Sequence, residues 1–237
     1  MSSTNASAKT FCIRPDYVPH QHAATVEQSF GEYWQPWRIA ESMLYQYHVY
    51  QAARELCDRH ALQTVADFGC GVGTKLDHFL GHLHPTAFDQ PTVADYIAET
   101  FPRLTFRPID LQHPHDALDP AERFDLTICA DVVEHLLDPD PAMELLRAHT
   151  GRFCVLSTPE RDIERGPDVL KATKPEHVRE WNSDEFIRYV ESCGFRIVEH
   201  RLLPKARLSD EDEAKRAAAT EHTRDCHGCQ MVVCTPA

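Results

Sequence analysis

The sequence predicts an α/β fold, a largely parallel sheet wound by helices on both faces, on three observations. Short β-type runs alternate with helix-patterned stretches from residue 64 onward. The first run, "VADFGCGVGTKL" at 65–76, breaks into three glycines directly ahead of a helical stretch. Acids stand where the next runs end, at Asp89, Asp110 and Asp131. In a wound sheet, that edge is where ligands bind.

The elements follow in order. "MSSTNASAKT" is polar, lacks the apolar core of a secretory signal, and reads as a frayed tail. From about Tyr33 to His60, apolar and aromatic residues recur at helical spacing, which predicts one or two helices. Residues 1–60 are therefore expected as a tail with lid or cap helices, and 61–237 as the main domain. Strands are predicted at 64–69, 86–89, 104–110, 124–130, 153–158, 195–203 and 229–235. Between them, "KLDHFLGHL", "TVADYIAETF", "DPAMELLRAHT" and "SDEFIRYVESCG" read as helices, the last with Ser183 as N-cap and Gly194 as its stop. Two irregular stretches remain: a loop at 159–182, too long and charged for a mere connection, and a charged insertion at 204–228 whose 208–225 portion reads as a solvated helix.

Composition narrows the function classes. With 42% hydrophobic and 26% charged residues, the chain has the make-up of a soluble globular protein, and no apolar stretch reaches the ~20 residues of a membrane helix. A net charge of −13 disfavours bulk nucleic acid, although a local basic groove around "ERGPDVLKATKPEHVR" could accept one phosphate. Nine cysteines scattered through strands and helices read as reduced thiols, which points to the cytoplasm. His222, Cys226 and Cys229 have ligand-like spacing, but one C-x-x-C without a second pair is read as structural.

The glycines follow G-x-G-x-G at Gly69, Gly71 and Gly73, with Asp67 two residues ahead. Asp89 lies 18 residues beyond Gly71, where a carboxylate can accept both hydroxyls of a ribose. Together with Asp110, "FDLTICADVVEHLLDP" and "VLSTPE", this resembles the class I S-adenosylmethionine-dependent methyltransferases over about residues 60–200 and the final strand. The resemblance implies a Rossmann-like sheet of seven strands, mostly parallel, with the last antiparallel. It implies S-adenosylmethionine held by Asp67, Gly69, Cys70, Gly71, Gly73, Asp89, Gln90, Asp110, Leu111 and Asp131, with Asp110 accepting from the adenine amino group.

A sulfonium carries its methyl as an electrophile, so a hydroxyl acceptor must be held in line and lose its proton. Asp131, Glu134 and His135 leave the fourth strand at i, i+3 and i+4, and would share one face of a helix opening there. His177 stands further on, in "EHVREW". Two readings are open. His135 or His177 acts as a neutral general base, or Asp131, Glu134, His135 and His177 hold a magnesium or manganese ion that acidifies the hydroxyl.

The acid-x-x-Glu-His pattern resembles the ubiquinone-biosynthesis O-methyltransferases and the small-RNA terminal 2′-O-methyltransferases, which implies the metal set and Glu134, His135 and His177 as catalytic groups. Asp131 departs from it, being shorter than the glutamate usual there, and this tilts the reading slightly to a lone base. "CIRPDYVPH", "EYWQPWR" and the 159–182 loop resemble bacterial methyltransferases of glycan assembly. The expected function is O-methylation of a sugar, glycan precursor or small metabolite. The alternatives are metal-assisted 2′-O-methylation of a nucleotide or RNA end, and a non-catalytic S-adenosylmethionine-binding module. Tyr33, Trp34 and Trp37 could stack on a sugar, close the cofactor pocket or simply pack.

Overall fold

A computed structural model describes residues 9–22, 29–114, 118–218 and 228–237. Alternation of side chains along each strand gives the sheet two apolar faces. In β4 (Phe124–Ala130), Leu126, Ile128 and Ala130 join one cluster, and Cys129 joins the other. The remaining strands are β1 (Val65–Phe68), β2 (Thr86–Asp89), β3 (Thr105–Pro108), β5 (Thr150–Pro159), β6 (Phe195–Leu203) and β7 (Cys229–Pro236). They form one seven-stranded sheet in the order β3-β2-β1-β4-β5-β7-β6. The first five pair in parallel, and β7 runs antiparallel to both β5 and β6. This is the Rossmann-like sheet that the sequence predicts.

One face is covered by α3 (Tyr47–His60), α4 (Thr74–Leu80) and α5 (Ala94–Thr100), through Val49, Tyr50, Leu76, Leu80 and Ile97. The other is covered by α6 (Asp140–His149) and α8 (Ser183–Ser192), through Met143, Leu146, Phe186 and Val190. The N-terminal region holds two further short helices, α1 (Phe30–Tyr33) and α2 (Pro36–Glu41), so three helices stand where one or two are predicted. They stay separate because Pro36 and the left-handed Gln46 interrupt the helical run. The loop after β5 contains α7 (Arg161–Glu164), and the insertion after β6 contains α9 (Asp210–Ala218).

Two local expectations are corrected. The N-cap of α8 is Asn182 instead of Ser183: its side chain accepts from the Glu185 amide, and the Glu185 carboxylate reaches back to the Asn182 amide, a complete capping box. Gly194 ends the helix at φ +81°. After β4 no α-helix opens. Asp131 takes a left-handed φ of +54°, and Val133–His135 form a single 3-10 turn, so Asp131 does not share a helix face with Glu134 and His135.

Candidate active site

The carboxyl ends of β1 to β5 open into a cavity of about 490 Å³. Gly69, Asp89, Gln90, Asp110, Leu111 and Asp131 line it. Gly69 sits at φ +90°, and a Cβ there would overlap the side chain of Val132. Gly71, at φ +59°, lies against the Trp34 ring, where a Cβ would come within 2.9 Å. Only glycine tolerates both the conformation and the approach.

Asp89 is positioned by its neighbours' backbone. The Gly71 amide donates to one carboxylate oxygen at 2.7 Å and the Gln90 amide to the other at 2.7 Å. Burial pushes its pKa up to about 6, against the pull of those two donors. Asp110 is exposed, accepts from the Gln112 amide at 2.9 Å, and sits between the cavity-lining Ile109 and Leu111.

Asp67, Cys70, Gly71 and Gly73 lie behind the wall and do not line the cavity. Asp67 is fully buried, and burial raises its pKa to about 7, although the Tyr50 hydroxyl donates to it at 2.7 Å. Its place is beneath the glycine loop. Gln46 and Lys75, which the sequence reading did not single out, also line the cavity. Gln46 Nε2 donates to Asp131 at 2.8 Å, and the Ser157 hydroxyl donates to the other Asp131 oxygen at 2.7 Å.

Across the cavity, Glu134, His135 and His177 each bring one ligand-type atom within 4.8 Å of the others. Asp131 is not part of this group among the described residues. The Nδ1 of His135 lies 2.8 Å from the Glu176 carbonyl. A carbonyl only accepts, so Nδ1 carries the proton and the Nε2 lone pair is left free. His177 Nδ1 lies 2.6 Å from Glu180 Oε1. Burial opposes the charge on Glu180, but hydrogen bonds from His177 and Arg165 outweigh it and hold the carboxyl down at about 2. Glu180 therefore accepts from His177 Nδ1, and this bond leaves Nε2 unengaged.

Burial, with His177 beside it, pushes His135 down to about 4, so the ring is neutral at pH 7. Glu134 is completely buried, and neither carboxylate oxygen has a hydrogen-bond partner. Burial raises its pKa well above the ordinary value. Its carbonyl accepts from the Val178 amide at 2.7 Å, which ties the 3-10 turn to the loop carrying His177.

That loop is anchored. Arg165 bridges Glu164 and Glu180, and buried Arg161 pairs with Glu185 at 2.7 Å. Residues 9–22 brace it from behind. The Tyr17 hydroxyl accepts from the Glu180 amide at 2.9 Å, Phe11 O accepts from the Trp181 indole at 2.8 Å, and the Val18 and His20 amides donate to Leu170 and Val178. His222 and Cys226, considered above as ligands with Cys229, lie outside the described residues, and Cys229 begins β7.

A glycine loop after β1, acids at the ends of β2 and β3, and this strand order define a class I S-adenosylmethionine-dependent methyltransferase fold. A family model described as "Methyltransferase domain" matches residues 45–200, and the chain belongs to that family. No curated protein matches the sequence significantly. Among solved structures, the putative methyltransferase complexed with the Trm112 activator of Haloferax volcanii is similar, at 14% identity, TM-score 0.61 and coverage of 88% of this chain and 98% of that one. N-methyltransferase NodS of Bradyrhizobium japonicum, solved with S-adenosyl-L-homocysteine, has 16% identity, TM-score 0.55 and coverage of 81% and 86%. The methyltransferase domain of bacterial CtHen1 has 17% identity, TM-score 0.54 and coverage of 79% and 96%. At these identities the likeness is one of fold, and the reaction must be argued from the site.

Proposed function

We propose that this chain is an S-adenosylmethionine-dependent O-methyltransferase acting on a hydroxyl of a sugar, glycan precursor or small metabolite, with a divalent cation held by Glu134, His135 and His177. The observation that carries the cation is the Glu134 carboxylate, fully buried and without a partner, facing two imidazoles whose Nδ1 atoms are already engaged. An uncompensated buried carboxylate costs several kcal/mol, and one carboxylate with two imidazoles is a borderline-hard donor set. Hydrogen bonds from Nδ1 to a carbonyl and a carboxylate are what orients metal-binding histidines. The lone-base reading weakens for His135, because a ring with its pKa near 4 is a poor base at pH 7.

The residues divide the work. Asp89 accepts the ribose hydroxyls, Gly69 lets the backbone approach the cofactor, and Asp110 accepts from the adenine amino group. Asp131, fixed by Gln46 and Ser157, sits between the two halves and offers a negative charge to the cationic methionine end. Glu180 holds the His177 ring in its tautomer and orientation, and the Glu176 carbonyl does the same for His135. When bound, the cation would lower the pKa of the acceptor hydroxyl. The net charge of −13 favours a small acceptor over a polyanion.

The test is release of S-adenosylhomocysteine from a panel of sugars, sugar nucleotides and metabolites, with manganese or magnesium and with chelator. Chelation is expected to abolish turnover and leave cofactor binding intact. Glu134→Gln, His135→Ala and His177→Ala are each expected to lose cation binding by calorimetry. Full activity in chelator would overturn the cation, and failure to bind S-adenosylhomocysteine would overturn the whole reading.

A further inference from the structure

Four cationic side chains line the cavity of a chain whose net charge is −13: Arg38, Lys75, Lys174 and Lys205. Two are already engaged. Lys75, half-buried beside the glycine loop, donates to the Ser42 carbonyl at 2.8 Å, and Lys205 pairs with Glu164 at 2.7 Å. Arg38 and Lys174 are placed differently. The Arg38 guanidinium lies 4.4 Å from the Tyr33 ring centroid and 5.1 Å from that of Trp37, an aromatic shelf that fixes the plane of the fork. Its Nε is buried with no hydrogen-bond partner, and its carboxylate neighbour, Glu176, stands off at 3.8 Å. Lys174 is exposed, with no ion-pair or hydrogen-bond partner for its ammonium among the described residues. Its carbonyl accepts from the His177 amide, which sets it beside the Glu134, His135 and His177 group.

We propose that Arg38 and Lys174 form an anion subsite on the acceptor side of the cavity, and that the molecule methylated is a small phosphate monoester carrying the reacting hydroxyl. This rests on the O-methyltransferase reading above. Both cations belong to the acceptor half: Arg38 faces Glu176, whose carbonyl orients His135, and Lys174 lies three residues before His177. A fixed fork takes two oxygens of one group and the exposed Lys174 ammonium takes a third, which suits a tetrahedral dianion better than a carboxylate. The exposed Trp37 ring beside the fork gives the sugar or other ring of that molecule a face to lie on. Lys75, on the cofactor side, is the cation left for the carboxylate of S-adenosylmethionine.

The experiment is calorimetric titration of inorganic phosphate into the S-adenosylhomocysteine-loaded protein. Saturable binding is expected, weakened about tenfold or more in Arg38→Leu and in Lys174→Ala. It should remain unchanged in Lys171→Ala, an exposed lysine of the same loop that does not line the cavity. Arg38→Lys keeps the charge and loses the fork, and is expected to fall between. No saturable phosphate binding by the unaltered protein, or binding that survives both substitutions, overturns the subsite. If Arg38→Leu weakens S-adenosylhomocysteine but not 5′-methylthioadenosine, which lacks the carboxylate, Arg38 serves the cofactor and the proposal fails. A short oligoribonucleotide that displaces phosphate more strongly than a hexose phosphate does would overturn the small-molecule assignment. Whether S-adenosylhomocysteine binds at all is read in the loading step, so failure of the underlying reading is seen separately.

Discussion

Asp67 and Asp89 are both acids held above their ordinary pKa, and the sign of each effect can be measured. In the unfolded chain Asp67 loses its proton near pH 4, whereas in the folded protein it keeps it to about 7. Between those values the unfolded state binds fewer protons, so Asp67 lowers stability as pH rises from about 4 to 7, and by a constant amount above. The fall should be on the order of a few kcal/mol. Urea unfolding at pH 5 and pH 8 is expected to show a smaller difference in Asp67→Asn, which can still accept from Tyr50. For Asp89, with its pKa near 6, cofactor binding that needs the carboxylate should weaken by up to about tenfold per unit below pH 6. Asp89→Ala removes charge-assisted hydrogen bonds worth roughly 1.5–3 kcal/mol each, and should weaken cofactor binding about a hundredfold. At this scale the sequence reveals which residues meet but not how. Glu134, His135 and His177 are legible as a group from their pattern. The left-handed turns at Asp131 and Gln46 are not, because glutamine carries no preference for positive φ and aspartate only a weak one, so residue type does not single out either position.

Segment 9–22 behaves as a structural element although it has no regular secondary structure along most of its length. Its hydrogen bonds include those to residues 138, 140, 167, 170, 178, 180, 181 and 185, and Ile13 and Tyr17 enter the core beside Trp181. Tyr17→Phe leaves the Glu180 amide buried without its acceptor, and should cost about 1–3 kcal/mol in urea unfolding. Hydrogen exchange across 165–181 should rise while affinity for S-adenosylhomocysteine stays unchanged. A loss of that affinity would show that the strap supports the cofactor half as well.

No periodicity announces such a strap, since it is held by pairings more than a hundred residues distant in sequence. The regular elements were far more legible: β2, β4 and β6 have the bounds that alternation predicts. Several misses fall at ends, where local chemistry decides. β5 begins three residues earlier than predicted because α6 runs into it without a connecting turn, and either Asn182 or Ser183 could have capped α8.

At the scale of the molecule, the cavity joins parts of different origin. The cofactor side comes from the loops after β1 to β3, inside the stretch that matches the family. Parts of the acceptor side lie outside it: α1 and α2 bring Tyr33 and Arg38, and the insertion after β6 brings Lys205. Tyr45 bridges to Ala206, and the Arg207 amide donates to Leu44 at 2.7 Å, so these two additions close on each other across the mouth. Chimaeras that exchange only 45–200 with a relative should therefore bind S-adenosylhomocysteine yet inherit its acceptor preference only in part.

The sheet order also fixes when the molecule can be completed. β6 touches the other strands only through β7, which lies between it and β5. During synthesis, then, β1 to β5 can assemble as they emerge, while β6 waits unpaired until residues 229–236 have left the ribosome. For that interval both the outer edge of β5 and the whole of β6 are open templates for another chain. A released chain truncated after residue 228 should be cleaved by protease within 195–228 and protected across 65–159. The acceptor wall carrying Lys205 and Cys229 would form last, after the nucleotide cradle is already able to hold its ligand.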